Sequence, residues 1–149
     1  MDELPAEVEA LRRIPFFEGL TSQDLARIAR VGRQRSFAAG ETILTKGGDD
    51  PGLYVLLSGA AVVQAGNRTH AIEAGDFVGE MSLLSGRPRT ATVTATEPVE
   101  ALVVSTLSFR PFLIANPSVA VVLLEVVAER LRRLQDELES AEATEGQDG

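Results

Sequence analysis

Residues 52–80 read GLYVLLSGAAVVQAGNRTHAIEAGDFVGE. Three β-prone runs stand in this stretch: Leu53–Leu57, Ala60–Gln64 and Thr69–Ile72. A turn glycine closes each one, at Gly59, Gly66 and Gly75. Runs of the same kind lie outside it, at Glu41–Thr45, Thr90–Thr96 and Val99–Val104, and nine of the 13 glycines fall between Gly40 and Gly86. Short strands at a spacing of roughly 8–12 residues, punctuated by glycine, predict a small antiparallel barrel or a double-sheet roll.

The flanks change texture. Up to about residue 34 the chain reads as helical, with Leu4, Val8 and Leu11 spaced for one helical face. Pro15 interrupts, and Phe16 and Phe17 are expected to anchor the segment. Thr21 with Asp24 reads as a capping box ahead of Leu25, Ile28 and Ala29. After residue 105, Thr106 is expected to cap a helix over Leu107–Ala115. Asn116-Pro117 breaks it and starts a last helix running to about Ser140. On that helix Leu124, Val127, Leu131, Leu134 and Leu138 fall at a and d positions of a heptad. Such a seam either packs on its own domain or pairs with a second copy of the chain. The expected fold is α+β: an antiparallel, jelly-roll-like β-roll over 35–105, a helical segment over 1–34 and two C-terminal helices over 106–140. Together these make a single domain over 1–140, and residues 141–149 read as a frayed acidic tail.

Composition narrows the function. The 149 residues carry a formal charge of −8, and six of the 22 acids lie beyond Arg133, where there is no base. The remaining 16 acids face 14 bases, so the body is nearly neutral and offers no basic face for nucleic acid. With no cysteine, thiolate metal sites, thiol nucleophiles and disulfides are excluded. The charged start MDELPAEVEALRR is unlike a signal peptide, and no apolar run approaches the roughly 20 residues of a membrane helix. A cytoplasmic protein is expected.

The segment GEMSLLSGRPRTATV, Gly79–Val93, holds two arginines around a proline in this acidic chain. Gly79 removes a side chain at the approach to a short helical turn, Glu80–Leu84. The free N–H groups of that turn, near Ser82 and Leu83, suit a phosphate. Arg89 adds a rigid fork of donors and Thr90 a hydroxyl, while Pro88 stiffens the loop. Glu80 would repel a phosphate, so it makes sense as an acceptor for sugar hydroxyls. The residues alone point to a nucleotide or sugar phosphate. Alternatively, Arg87 and Arg89 are solvated loop charges, either of which pairs with Glu80.

DFVGEMSLLSGRPRTATVTA, starting at Asp76, resembles the phosphate-binding cassette of the cyclic nucleotide-binding domain family. FAAGETILTKGGD (Phe37–Asp49) and GLYVLLSGAAVV (Gly52–Val63) resemble its turn and strand pairs, as does Gly75-Asp76. The resemblance spans residues 12–138. It implies that Glu80 takes the ribose 2′-hydroxyl and Arg89 the cyclic phosphate, with the backbone of Gly79, Ser82 and Leu83 completing the anion cage. Thr90 would reach the phosphate or the base, Val63 and Ile72 would pack against the base, and Val78, Met81 and Ala91 would line the same site. The last helix would act as a lid, with Arg130, Arg133 and Leu134 covering the purine. The expected ligand is cyclic AMP, with cyclic GMP the alternative.

The cupins, related by their roll, need several histidine and glutamate ligands; this chain has only His70, read as a strand surface residue. Neither a metal nor catalysis is expected. The family's transcription factors carry a helix-turn-helix after the long helix, and too few residues follow Ser140 for one, so no DNA contact is expected within the chain. A stand-alone sensor is expected from the start at Met1. The alternatives are a regulatory domain of a larger channel or kinase-type protein, and a ligand-free interaction module.

Overall fold

The computed structural model describes residues 6–48, 52–87 and 91–148, with the backbone alone at Met81 and at 144–148. Leu4, Asp49, Pro88, Arg89 and Thr90, all used in the reading above, lie outside the described residues. In chain order the elements are α1 (Ala6–Arg12), a 3-10 turn (Pro15–Phe17), α2 (Ser22–Val31), β1 (Arg33–Phe37), β2 (Thr42–Leu44), β3 (Gly52–Ser58), β4 (Ala60–Ala65) and β5 (Arg68–Glu73). Then follow β6 (Phe77–Val78), α3 (Glu80–Ser85), β7 (Thr92–Ala95), β8 (Val99–Ser105), α4 (Thr106–Ala115) and α5 (Pro117–Asp148).

The strands form two antiparallel four-stranded sheets, ordered β1-β8-β3-β6 and β2-β7-β4-β5, and not one closed barrel. The first sheet is apolar on both faces, which is why GLYVLLS reads as a nearly unbroken hydrophobic run. Leu53 and Val55 on β3, with Leu102 and Val104 on β8, face a helical cluster that includes Val8, Leu11, Phe17, Leu25, Ile28, Phe109 and Leu123. The alternate residues Tyr54, Leu56, Ala101 and Val103 face the second sheet. There they meet Ile43, Leu44, Ala61, Val63, Ile72 and Val93 inside the roll.

Thr21 and Asp24 form the expected reciprocal capping box, each side chain accepting from the other's backbone N–H. Arg12 donates to the Ser22 hydroxyl and so ties α1 to α2. Arg13 lies across Gly75, whose φ of 95° and lack of a Cβ permit that contact.

Four expectations need correction. The N-terminal helical zone ends at Val31, and Arg33–Phe37 forms an edge strand paired with β8. Its sequence, RQRSF, carries charge where an exposed edge tolerates it and has no apolar alternation to reveal it. β6 went unread because it has only two residues. The cap of α4 is Ser105, whose hydroxyl accepts from the Ser108 N–H, so Thr106 is free for another task. Finally, the acidic tail does not fray at Ser140. The helix continues to Asp148 through alanine- and glutamate-rich sequence of high helix propensity.

Candidate functional site

The site is built where the first sheet hands the chain to α3. β6 pairs with Tyr54 and Val55 of β3 and brings the chain to Gly79. Gly79 takes the left-handed conformation (φ 84°, ψ 14°), which only glycine adopts without strain, and α3 begins at the next residue. Having no side chain, Gly79 makes no cap hydrogen bond to the first turn of α3.

Glu80 stands half-buried at the first position of this helix. Among the described residues no cation pairs with it. Arg87, one of its expected rivals for pairing, instead serves the loop through its backbone: its carbonyl accepts from the Ser82 hydroxyl at 3.2 Å, and its N–H donates to the Ser85 hydroxyl. Ser82 and Leu83 are buried, and Leu83 belongs to the helical core cluster. Val63 and Ile72 are buried on adjacent strands of the second sheet, with Ala61 opposite Ile72 and His70 opposite Val63. Val78 and Ala91 pack against the same inner cluster. His70 itself is exposed.

Thr106 is the residue that sequence reasoning misassigned. It is buried, and its hydroxyl reaches the carbonyls of Ser82 (3.0 Å) and Leu83 (3.3 Å). The middle of α3 is thereby fastened to the start of α4. From there a ring path continues: Phe109 of α4 lies 6.3 Å from Phe17 and 5.9 Å from Phe112, centroid to centroid. On the far side of the 3-10 turn, the Arg130 guanidinium sits 4.7 Å from the centroid of Phe16. Thus Arg130, Arg133 and Leu134 are not gathered beside α3. They line a groove of about 310 Å³ with Pro15, Glu18 and Glu137.

Among the described residues no group of three histidine, cysteine or carboxylate side chains converges as a metal site would require. No single helix among them is long and apolar enough to cross a membrane.

Comparison with known proteins agrees with this geometry. The sequence profile of the cyclic nucleotide-binding domain matches residues 34–116, which hold all eight strands except the first residue of β1, together with α3 and α4. A cyclic nucleotide-gated potassium channel of Rhizobium etli is 32% identical over 117 residues, covering 78% of this chain and 33% of the channel. The chain thus spans about a third of the length of such curated relatives. Among solved structures, the N-terminal domain of a transcriptional regulator from Streptomyces coelicolor superposes with a TM-score of 0.77 at 31% identity, covering 85% of this chain and 95% of that one. The Thermus thermophilus catabolite activator protein gives 0.63 at 27% identity, covering 87% and 63%. With two stacked sheets, helices at both ends and a glycine-led helix within the matched segment, the chain belongs to the cyclic nucleotide-binding domain family.

Proposed function

We propose that this chain is a non-catalytic sensor of a cyclic nucleotide, cyclic AMP ahead of cyclic GMP, and that it relays binding to its C-terminal helices. The observation that carries the reading is Gly79 turning left-handed into α3 with no side-chain cap, and Glu80 at its first residue paired with no cation among the described residues, all inside the matched segment. In this reading Glu80 accepts from the ribose hydroxyl. Arg89 and Thr90 hold the ring phosphate with the backbone of Gly79 to Leu83. Val63, Ile72, Val78 and Ala91 supply the apolar wall for the base.

Thr106 gives the relay a physical link. Any shift of α3 toward a bound anion pulls on two carbonyls that share the Thr106 hydroxyl, and so on α4. From α4 the Phe109–Phe17 contact leads to the 3-10 turn, on which Arg130 of α5 rests. A ligand moves this equilibrium only by its differential affinity for the two positions of the helices. For Arg130, Arg133 and Leu134 to cover the purine, α5 must leave its groove beside Pro15 and Glu18. A chain ending at Ala128 tests that step while keeping the buried Val119, Leu123 and Val126. Weaker nucleotide binding is expected, and unchanged affinity would relieve the three residues of the lid role.

The exposed apolar side chains of Leu107 and Ile114 favour a second reading, a partner-binding module without ligand. Calorimetry separates the two: absence of binding for both cyclic nucleotides at high micromolar concentration supports the module.

A further inference from the structure

β1 is an edge strand, paired on one side with β8 and, among the described residues, with no strand on the other. Such an edge offers a row of backbone N–H and C=O groups to any extended chain. The charge along it is of one sign. Between Ala26 and Ser36 stand Arg27, Arg30, Arg33 and Arg35 and no acid, in a chain of formal charge −8. Asp24 pairs with Arg27, and among the described residues no carboxylate pairs with the other three. Glu100, opposite Ser36 on β8, accepts from the Ser36 hydroxyl at 2.8 Å. Arg30 and Arg33 are exposed, while Arg35 is half-buried over the Phe37 ring.

A groove of about 410 Å³ opens beside the start of the strand. Val8, Ala26, Ala29 and Leu102 give it an apolar floor, and Arg30, Arg33 and Gln34 also line it, with Glu7 on its α1 side. Gln34 lies opposite Leu102 of β8, so it shares the helical face of the sheet with the groove. Arg33 and Arg35 lie opposite Val103 and Ala101 and leave by the other face. These arginines make a strip along one edge and not a broad face, and the apolar floor suits a side chain better than a phosphate backbone.

We infer that the β1 edge and this groove take an extended segment of a partner protein in which acidic and apolar residues alternate. The segment adds as a further strand, its backbone bonded to the open side of β1. The two-residue period of a strand then fixes its side-chain pattern. A residue opposite Gln34 stands on the helical face and enters the groove, where an apolar side chain meets Ala29 and Leu102. The residues before and after it stand on the other face beside Arg33 and Arg35, where opposite charges across strands are favoured. Arg30 adds to the attraction for an acidic chain, and the same charges turn away a basic one. The surface is built from α1, α2, β1 and β8, apart from Gly79 and α3, and does not depend on the nucleotide reading.

The test titrates a fluorescein-labelled peptide alternating glutamate and valine into the full chain, read by fluorescence anisotropy. Saturable binding that weakens as salt rises is expected, with none for the same peptide carrying lysine in place of glutamate. Arg30→Ala and Arg33→Ala should each weaken binding about threefold, on the scale of an exposed ion pair. Ala29→Leu fills the groove and should weaken it about tenfold, with the melting temperature showing that the variant folds. A second measurement needs no variant of the chain. An added strand turns one alternate set of its N–H groups to β1 and the other to solvent. Peptides N-methylated on the glutamates alone or on the valines alone should therefore differ, one losing binding and the other keeping it. Equal binding of the two would overturn strand addition. No binding of the unmethylated peptide at high micromolar concentration, or equal binding of a scrambled peptide of the same composition, would overturn the proposal. So would arginine-dependent binding of phosphatidylserine vesicles or of an oligonucleotide without binding of the peptide.

Discussion

Glu80 begins a helix whose N-cap, Gly79, has no side chain to cap the first turn, and no cation among the described residues neutralises it. A carboxylate so placed beside the backbone N–H groups of a helix start is suited to a ligand with hydroxyls next to an anion. On this account Arg89→Ala costs the most binding, roughly 2–5 kcal/mol for one partner of a desolvated charged pair; unchanged affinity by calorimetry would end the phosphate assignment. Glu80→Gln keeps the shape and weakens the acceptor, with a loss of about 1–2 kcal/mol. A 2′-deoxy ligand should then lose little more in that variant, whereas simply additive losses would move Glu80 away from the ribose. Gly79 was legible in the sequence because few conformations other than the left-handed one call for a glycine before a helix. Thr106 was not: its role lies in hydrogen bonds to residues 24 and 23 positions earlier, while its local context, beside a serine before an apolar run, reads as a cap.

Among the elements, the strands that bury side chains announced themselves, since β3 and β8 are apolar on both faces and β4 alternates toward the inner cluster. The edge strand β1 did not, because only Phe37 of its five residues is a buried apolar one, and the other four pair with β8 through the backbone without an apolar pattern. The joint between α3 and α4 is testable at this scale. Thr106→Val removes the hydroxyl donor and keeps the volume, so chemical denaturation should show a loss of about 1 kcal/mol. Ligand-induced hydrogen-exchange protection of α4 should fall with it; full protection in the variant would mean that α4 senses the ligand by another route. Phe109 is wholly buried between Phe17 and Phe112, and Phe109→Ala should cost about 3–5 kcal/mol of stability. A loss below 1 kcal/mol would show that the helices do not depend on that ring cluster.

For the molecule as a whole, the roll, the helices at its ends and the glycine-led turn into α3 were readable in advance, because each obeys a local rule of spacing or turn chemistry. The length of α5 was not, since a run of acids fits both a solvated tail and a solvated helix, and alanine and glutamate decide for the helix. That long helix meets the domain through the 3-10 turn and α4, so side-chain contacts run from α3 through α4 and the 3-10 turn to Arg130, the route the proposed relay would use. The most direct test of the central claim is calorimetric titration of the full chain with cyclic AMP, cyclic GMP and linear AMP, repeated with Arg89→Ala. The account predicts saturable binding of cyclic AMP, tighter than cyclic GMP, little binding of linear AMP, and a large loss in the variant. Equal binding of linear AMP, or no heat from either cyclic nucleotide at high micromolar concentration, would contradict it.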